Sequence, residues 1–174
     1  MTKPQKLPST LLTELGRITT AWASIEQNLI LHASAMAALH TDGKPIEYLR
    51  MDFKRLRQKW FSLCRDAFPT EVMDRTVNTL NSNLSKLSLE RGHYFHGTWA
   101  KISRGRYKLS CWEQKDRLRL LEGELTLSQI RQFASACETT NIQVHRFCIG
   151  KHGAEDGFRA TGEITLPLKP INQS

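Results

Sequence analysis

Apolar residues near the N-terminus recur in alternating steps of four and three along the chain. The set is Leu11, Leu15, Ile18, Trp22, Ile25 and Leu29, with Met36 seven residues further on. Steps of this size place the side chains on one side of an α-helix, and Ser9 or Thr10 can cap its start. We therefore expect a first helix that reaches about Leu39.

Two further helical patterns follow a loop that contains glycine and proline. The second helix is expected from about Glu47 to Ala67, and the third from Thr70 to Gly97, a residue type that often ends helices. The apolar seam of the third helix is Met73, Val77, Leu80, Leu84, Leu87, Arg91 and Tyr94. One member of that seam, the arginine, is charged.

A fourth helix is expected near the C-terminal end of the domain. Thr126 and Gln129 have the spacing of a capping box, in which each side chain bonds to the other residue's backbone amide. The apolar pattern after them continues to about Gly150. Asn141 interrupts this pattern, so a bend or break at that residue is an alternative.

Between the third and fourth helices the pattern changes to one typical of strands. Residues 98–103 and 106–112 are rich in strand-forming types and are joined by Arg104 and Gly105, which predicts a β-hairpin. The two predicted faces of its second strand are Tyr107, Leu109 and Cys111 on one side, and Lys108, Ser110 and Trp112 on the other.

Together these elements predict a mainly α fold. We expect a bundle of about four helices with the β-hairpin, near residues 98–112, inserted before the last long helix. The domain would span residues 9–150, with a flexible N-terminus over 1–8 and a loose C-terminal tail over 151–174 in which one short strand is an alternative.

Composition supports one globular domain and narrows the classes of protein. Of 174 residues, 40% are hydrophobic and 24% charged, and no segment approaches the roughly 18 to 20 consecutive apolar residues of a membrane span. The N-terminus has no apolar signal core, so we expect a cytoplasmic protein. Its sequence has no Gly-rich phosphate loop, zinc-hydrolase helix motif or α/β-hydrolase elbow.

The four cysteines are widely spaced, with no Cys-x-x-Cys pair. Structural zinc sites usually bring their ligands in close pairs, so we expect free thiols in a reducing compartment. The sequence therefore predicts no metal site and no cofactor.

The chain has a net charge of +8, which favours polyanionic partners without naming one. The candidate RNA-binding residues lie on the second helix and on the hairpin: Arg55, Lys59, Lys101, Arg104 and Arg106, with Trp99 as an aromatic on which a base could stack. The alternatives are that the cations form a solvated face and that Trp99 packs the hairpin onto the helices.

Arg91 occupies a seam position where a guanidinium is unfavourable unless it has a partner. Glu26 flanks the apolar face of the first helix, so it could hold Arg91 in a charge-assisted pair. One interpretation is a structural salt bridge that joins two helices. The other is that Glu26 orients Arg91 for binding an anion.

His93 and His96 follow Arg91 directly. Five helical steps separate Arg91 from His96 by about 140° around the axis. The two could serve one anion only if the helix unwinds at Gly92 or Gly97, or if they meet across a two-fold dimer interface. Histidine moves protons near neutral pH and arginine binds phosphate, a combination suited to RNA cleavage without a metal.

The stretch LERGHYFHGTW, residues 89–99, resembles the Arg-x4–6-His signature of the HEPN superfamily, and AWASIEQNL, residues 21–29, resembles the opening helix of such proteins. The resemblance covers roughly residues 10–150. It implies a helical bundle that forms a homodimer with paired motifs at a shared cleft. Active members are metal-independent endoribonucleases of toxin–antitoxin, phage-defence and RNA-processing systems, so an antitoxin protein is a candidate partner.

Carried onto this chain, the resemblance makes Arg91 and His96 the catalytic pair, with His93 as an auxiliary group. The chain departs from the pattern at Gly92, because the family commonly has a polar residue after the arginine. An alternative is therefore a catalytically inactive module of the same fold that binds a partner protein or nucleotide. A more distant alternative is a basic nucleic-acid-binding protein that does not use His96.

Overall fold

The computed structural model describes residues 6–40, 48, 50–114, 118–149 and 169–170. The described part is mainly helical, with a small antiparallel sheet. The helices are α1 (Ser9–His40), α2 (Phe53–Ala67), α3 (Thr70–Val72), α4 (Asn78–His96) and α5 (Leu127–Cys148), and a π-helical turn (Met73–Val77) joins α3 to α4. The strands are β1 (Thr98–Ser103), β2 (Arg106–Gln114), β3 (Leu118–Thr126) and β4 (Lys169–Pro170).

The first and third predicted helices are confirmed in extent. α1 has the expected start and ends one residue beyond Leu39, and the chain is helical from Thr70 to His96. The expected start of the second helix near Glu47 is wrong. α2 begins at Phe53, because Asp52 caps it by accepting a hydrogen bond from the Arg55 amide at 2.9 Å.

The fourth predicted helix is also confirmed, and its cap is the one expected. The Gln129 amide donates to Thr126 Oγ1 at 3.2 Å, and the Thr126 amide donates to Gln129 Oε1 at 2.8 Å. The alternative of a break at Asn141 is wrong, since α5 is continuous there. Asn141 instead accepts a hydrogen bond from Asn28 of α1 at 3.4 Å, which gives this polar residue a partner within the helix interface.

The hairpin is confirmed, but it belongs to a larger sheet with the order β1-β2-β3-β4. Ser103 pairs with Arg106 around the turn, where Gly105 has a φ of +73°, a conformation that glycine adopts without strain. As expected, Tyr107, Leu109 and Cys111 are buried, while Trp112 is exposed.

Strand β3 was not predicted. It contains Gly123 and two glutamates, which are depleted in strands. The structure compensates across the strands: Glu122 pairs with Lys108 at 2.5 Å, Glu124 pairs with Arg106, and Gly123 lies opposite the buried Leu109.

Residues 169–170 of the predicted tail form the short strand that the sequence allowed for, and they pair with Leu121 and Glu122 of β3. The rest of that tail, 151–168 and 171–174, and residues 1–5 of the predicted flexible N-terminus lie outside the described residues. Among the described helices, none is both long and apolar enough to cross a bilayer.

The core is centred on the contact between α1 and α5. Glu14 meets Arg131 and Asn28 meets His145, so the two helices run parallel. Arg17 binds Glu138 through two hydrogen bonds of 2.9 and 2.6 Å and binds the buried Glu14 at 2.6 Å. The second helix packs on the same core, where Trp60 Nε1 donates to Nδ1 of His32 at 3.0 Å.

The four cysteines are free thiols. Cys64, Cys111 and Cys137 are buried, and burial raises the pKa of Cys137 and of Cys148 to about 12. The thiols of Cys137 and Cys148 are therefore protonated at neutral pH.

The ion pairs between α1 and α5 predict a pH dependence. The hydrogen bond from Arg17 lowers the pKa of Glu138, so this stabilisation is present above the unfolded pKa of about 4.3 and is lost as the pH falls through the lower folded pKa. Glu138→Gln should lower Tm at pH 7, and the difference from wild type should vanish in acid. A difference that persisted at low pH would contradict this assignment; Glu71→Gln, in an exposed pair with Arg75, is the control.

Two glycines of the α4 region predict opposite effects of alanine. A Cβ at Gly97 would lie 2.3 Å from Leu109 Cδ1 and 2.7 Å from the His93 carbonyl oxygen, whereas a Cβ at Gly92 would meet nothing within 4 Å. Gly97→Ala should destabilise by about 1–3 kcal/mol through overpacking. Gly92→Ala should stabilise the fold by about 0.5–1 kcal/mol, because alanine loses less conformational freedom than glycine when the unfolded chain forms this helix. Urea denaturation measures both, and equal effects would refute the packing assigned to Gly97.

Candidate functional site

Arg91 lies on α4 where that helix approaches α1 and α5. Its guanidinium carbon, Cζ, is 5.1 Å from the ring centroid of Trp22 on α1 and 5.4 Å from that of Phe95, one turn further along α4. Both contacts are within the range of cation–π attraction. The charged seam position found in the sequence is therefore held by aromatic rings.

The guanidinium has no carboxylate partner among the described residues. Its Nε is buried and makes no hydrogen bond there. The expected pair with Glu26 is not formed: Glu26 accepts a hydrogen bond from Trp22 Nε1 at 2.7 Å instead. The physical reason is that Trp22 is fully buried and its N–H requires an acceptor, which Glu26 supplies from the next turn of α1.

The surroundings of Arg91 are poorly solvated. Burial raises the pKa of Tyr94, and the nearby Glu90 and Cys137 raise it further. The positive charge of Arg91 opposes part of the rise in the pKa of Cys137 that burial causes. The Arg91 charge therefore lies at the contact of α4 with α5, where electrostatic interactions are weakly screened.

His93 faces an acidic residue that sequence reasoning missed. Its Nδ1 lies 3.7 Å from Glu90 Oε2, and only 16% and 11% of the two side chains is exposed. Glu90 precedes His93 by one helical turn, a spacing at which side chains meet. That spacing was the available signal, together with the position of Glu90 three residues after Leu87 and four before Tyr94, which places it beside the buried seam.

His96 is exposed and is the last residue of α4. The helix continues through Gly92, so neither glycine unwinds the segment between Arg91 and His96. Helical geometry then separates their Cα atoms by about 9 Å and their directions by about 140°. One chain does not bring the two side chains to a common face, which leaves the dimer interface as the route to a shared site.

The basic residues predicted on α2 differ in their surroundings. Arg55 and Lys59 are exposed, and Arg55 Nε lies 3.4 Å from Asp52 Oδ2. Arg57, which lies between Arg55 and Lys59 on α2, is partly buried. It donates to Asn81 Oδ1 of α4 at 2.5 Å, and burial lowers its pKa below the ordinary value.

The hairpin residues divide in a similar way. Lys101 and Arg104 are exposed and have no ion-pair partner within the described ranges, whereas Arg106 pairs with Glu124. Trp99 is partly buried; its Nε1 donates to the Tyr94 carbonyl oxygen at 3.0 Å. The packing alternative therefore describes Trp99 better than the base-stacking one.

Trp112, which was not singled out as a ligand-binding residue, is 57% exposed on the outer face of the sheet. In the part of the chain that the structure covers, no group of three or more His, Cys, Asp or Glu side chains could hold a metal ion.

No family model, curated protein or solved structure matches the chain significantly. The superfamily resemblance thus stays a prediction from residues 21–29 and 89–99.

The environment of Arg91 predicts an unusual effect on stability. Because the guanidinium is partly buried and makes no ion pair with the described residues, Arg91→Met should leave the free energy of unfolding within about 1 kcal/mol of wild type or raise it. Arg17→Met, which breaks pairs with Glu14 and Glu138, should lower it. Urea denaturation of both variants tests the contrast. A loss of about 3–5 kcal/mol in Arg91→Met would show that Arg91 is a structural charge with a buried partner.

Proposed function

We propose that this chain is a HEPN-like protein that acts on RNA as a homodimer in the cytoplasm, and that it is a metal-independent endoribonuclease of the toxin or defence type. The observation that carries the proposal is the state of Arg91. Its partly buried guanidinium lies against two aromatic rings and has no carboxylate partner among the residues that the structure describes.

A guanidinium held in this way keeps its hydrogen-bond donors for an incoming anion. Arginine binds phosphate oxygens in a fork, and a charge-assisted bond strengthens where water is excluded. Arg91 would bind the scissile phosphate and stabilise the additional negative charge of the phosphorane transition state.

His96 would supply the proton transfers. It is exposed and lies at the end of the same helix as Arg91. In the proposed reaction the ribose 2′-oxygen attacks the phosphorus, the bond to the 5′-oxygen breaks, and a 2′,3′-cyclic phosphate remains. One proton leaves the 2′-hydroxyl and one enters the departing 5′-oxygen, and His96 serves one of these steps. His93 would assist as an auxiliary base near Glu90.

The two groups diverge on α4, so the proposed site combines Arg91 of one chain with His96 of its partner. A two-fold interface along the C-terminal part of α4 would form two such sites. The exposed cations Arg55, Lys59, Lys101 and Arg104 would attract the RNA backbone with little base specificity. An antitoxin protein is the candidate partner that would restrain the activity.

A second candidate function is that of an inactive HEPN-like module that binds a partner protein or nucleotide. It is favoured by Gly92, which puts a residue without a side chain where the family commonly has a polar one. In that case Arg91 binds a phosphate group, and no bond is broken.

Cleavage of single-stranded RNA in EDTA tests the proposal. Wild type should cleave, and His96→Ala and Arg91→Ala should each lower the rate by at least about 100-fold, the scale of one acid–base or charge-stabilising group. His145→Ala, an exposed histidine on α5, is the matched control and should cleave normally. Circular dichroism checks that each variant is folded.

Mixing the two inactive variants distinguishes a shared site from a site within one chain. A heterodimer of Arg91→Ala with His96→Ala has one complete site if each site draws on both chains, so activity should partly return. No rescue, in a mixture shown to contain heterodimers, would contradict the shared site. Tight RNA binding without cleavage by wild type would favour the inactive module. RNA binding that depends steeply on salt and is unchanged in Arg91→Ala and His96→Ala would favour a basic nucleic-acid-binding protein.

A further inference from the structure

The Trp22 indole is held on several sides. It is 1% exposed, its N–H donates to Glu26 Oε1 at 2.7 Å, and its ring centroid lies 4.4 Å from that of Phe53 at an interplanar angle of 52°. The Arg91 guanidinium lies against the same indole. An aromatic ring with so many contacts has little freedom to move, so it presents a rigid surface to the cation.

An aromatic surface and a carboxylate hold a guanidinium with different consequences. A carboxylate would occupy two N–H donors of Arg91 and cancel its charge. An indole face attracts the cation through the ring quadrupole and uses none of the donors in the guanidinium plane. Trp22 can therefore fix the position of Arg91 while its charge and donors stay available.

Glu26 acts on Arg91 through the indole. The carboxylate accepts the indole N–H, which orients the ring and places negative charge at its edge. A hydrogen bond to an anion polarises the donor, so electron density shifts toward the ring face where Arg91 lies. The three residues form a chain of contacts from carboxylate to indole edge and from indole face to guanidinium.

We propose that Trp22 is a positioning residue for Arg91 and that Glu26 strengthens this role by accepting the indole N–H. Neither residue touches the substrate. The effect on catalysis rests on the proposed function, whereas the effect on the Arg91 side chain does not. The expected series of variants is graded, since Trp22→Leu removes the aromatic face, Trp22→Phe keeps a face without the N–H, and Glu26→Gln keeps the indole without the anion.

The first measurement is the Nε–Hε signal of Arg91 in a ¹⁵N correlation spectrum of the full chain, assigned by its absence in Arg91→Lys. Ring currents of Trp22 should shift this signal upfield and burial should slow its exchange with water. Trp22→Leu should return the shift toward the ordinary arginine value, Trp22→Phe should do so in part, and Glu26→Gln should have a smaller effect. Trp60→Phe is the control, because Trp60 is as buried as Trp22 but bonds to His32.

The second measurement is RNA cleavage by the same variants. Loss of a cation–π contact corresponds to about a 2- to 30-fold fall in kcat, with KM changed much less, because the contact acts where charge develops. The kcat of Trp22→Leu should be the lowest and that of Trp22→Phe should lie between it and wild type. Trp60→Phe should keep the wild-type kcat even if its Tm is lower.

The outcomes separate the two proposals. An Arg91 signal that is the same in Trp22→Leu as in wild type would overturn the positioning role, whatever the cleavage rates. A displaced signal in a protein whose wild type cleaves no RNA would support the positioning role and contradict the proposed function. A fall in kcat that matched the fall in Tm across all variants, including Trp60→Phe, would overturn the effect of Trp22 on catalysis.

Discussion

The parallel packing of α1 against α5 is the constraint on which the rest of the structure depends. These helices are more than a hundred residues apart in sequence, and they are joined at one end by the Glu14, Arg17 and Glu138 ion pairs and further along by the Asn28–Asn141 contact. Their shared surface receives α4, where Tyr94 stacks on Phe133 with centroids 4.6 Å apart and an angle of 9°. Arg91 precedes Tyr94 by about one turn of α4 and therefore lies beside this stacked pair.

The Arg91 guanidinium lies against the rings of Trp22 and Phe95 and does not pair with a carboxylate of the described residues. Glu26, the acidic residue expected to pair with Arg91, accepts a hydrogen bond from Trp22 instead, and the described part of the chain leaves the guanidinium without an ion pair. A partly buried cation without a counter-charge destabilises a fold. Proteins retain such groups at sites that bind or transform charged ligands, at the expense of stability.

Regular patterns in the sequence predicted the helices well, and local chemistry predicted the cap at Thr126 and the turn at Gly105. The errors arose where distant residues override local preference. β3 contains Gly123 and two glutamates, and only the cross-strand partners Lys108 and Arg106 explain why it is a strand. The π turn has no marked sequence signal. Arg91 was identified from its seam position, but its contact with the Trp22 ring instead of Glu26 was not. Glu26 accepts the hydrogen bond that the buried Trp22 N–H requires, and the burial of Trp22 is a property of the folded chain.

The most direct test of the role of Arg91 is a crystal structure of the protein with a short RNA whose 2′-hydroxyls are methylated, so that it binds without cleavage. We expect a phosphate oxygen within about 3 Å of the Arg91 guanidinium nitrogens, on the Trp22 side of α4, with His96 of a second chain beside the same phosphate. An ordered RNA that left Arg91 untouched, or a carboxylate of the same chain bound to Arg91, would contradict it.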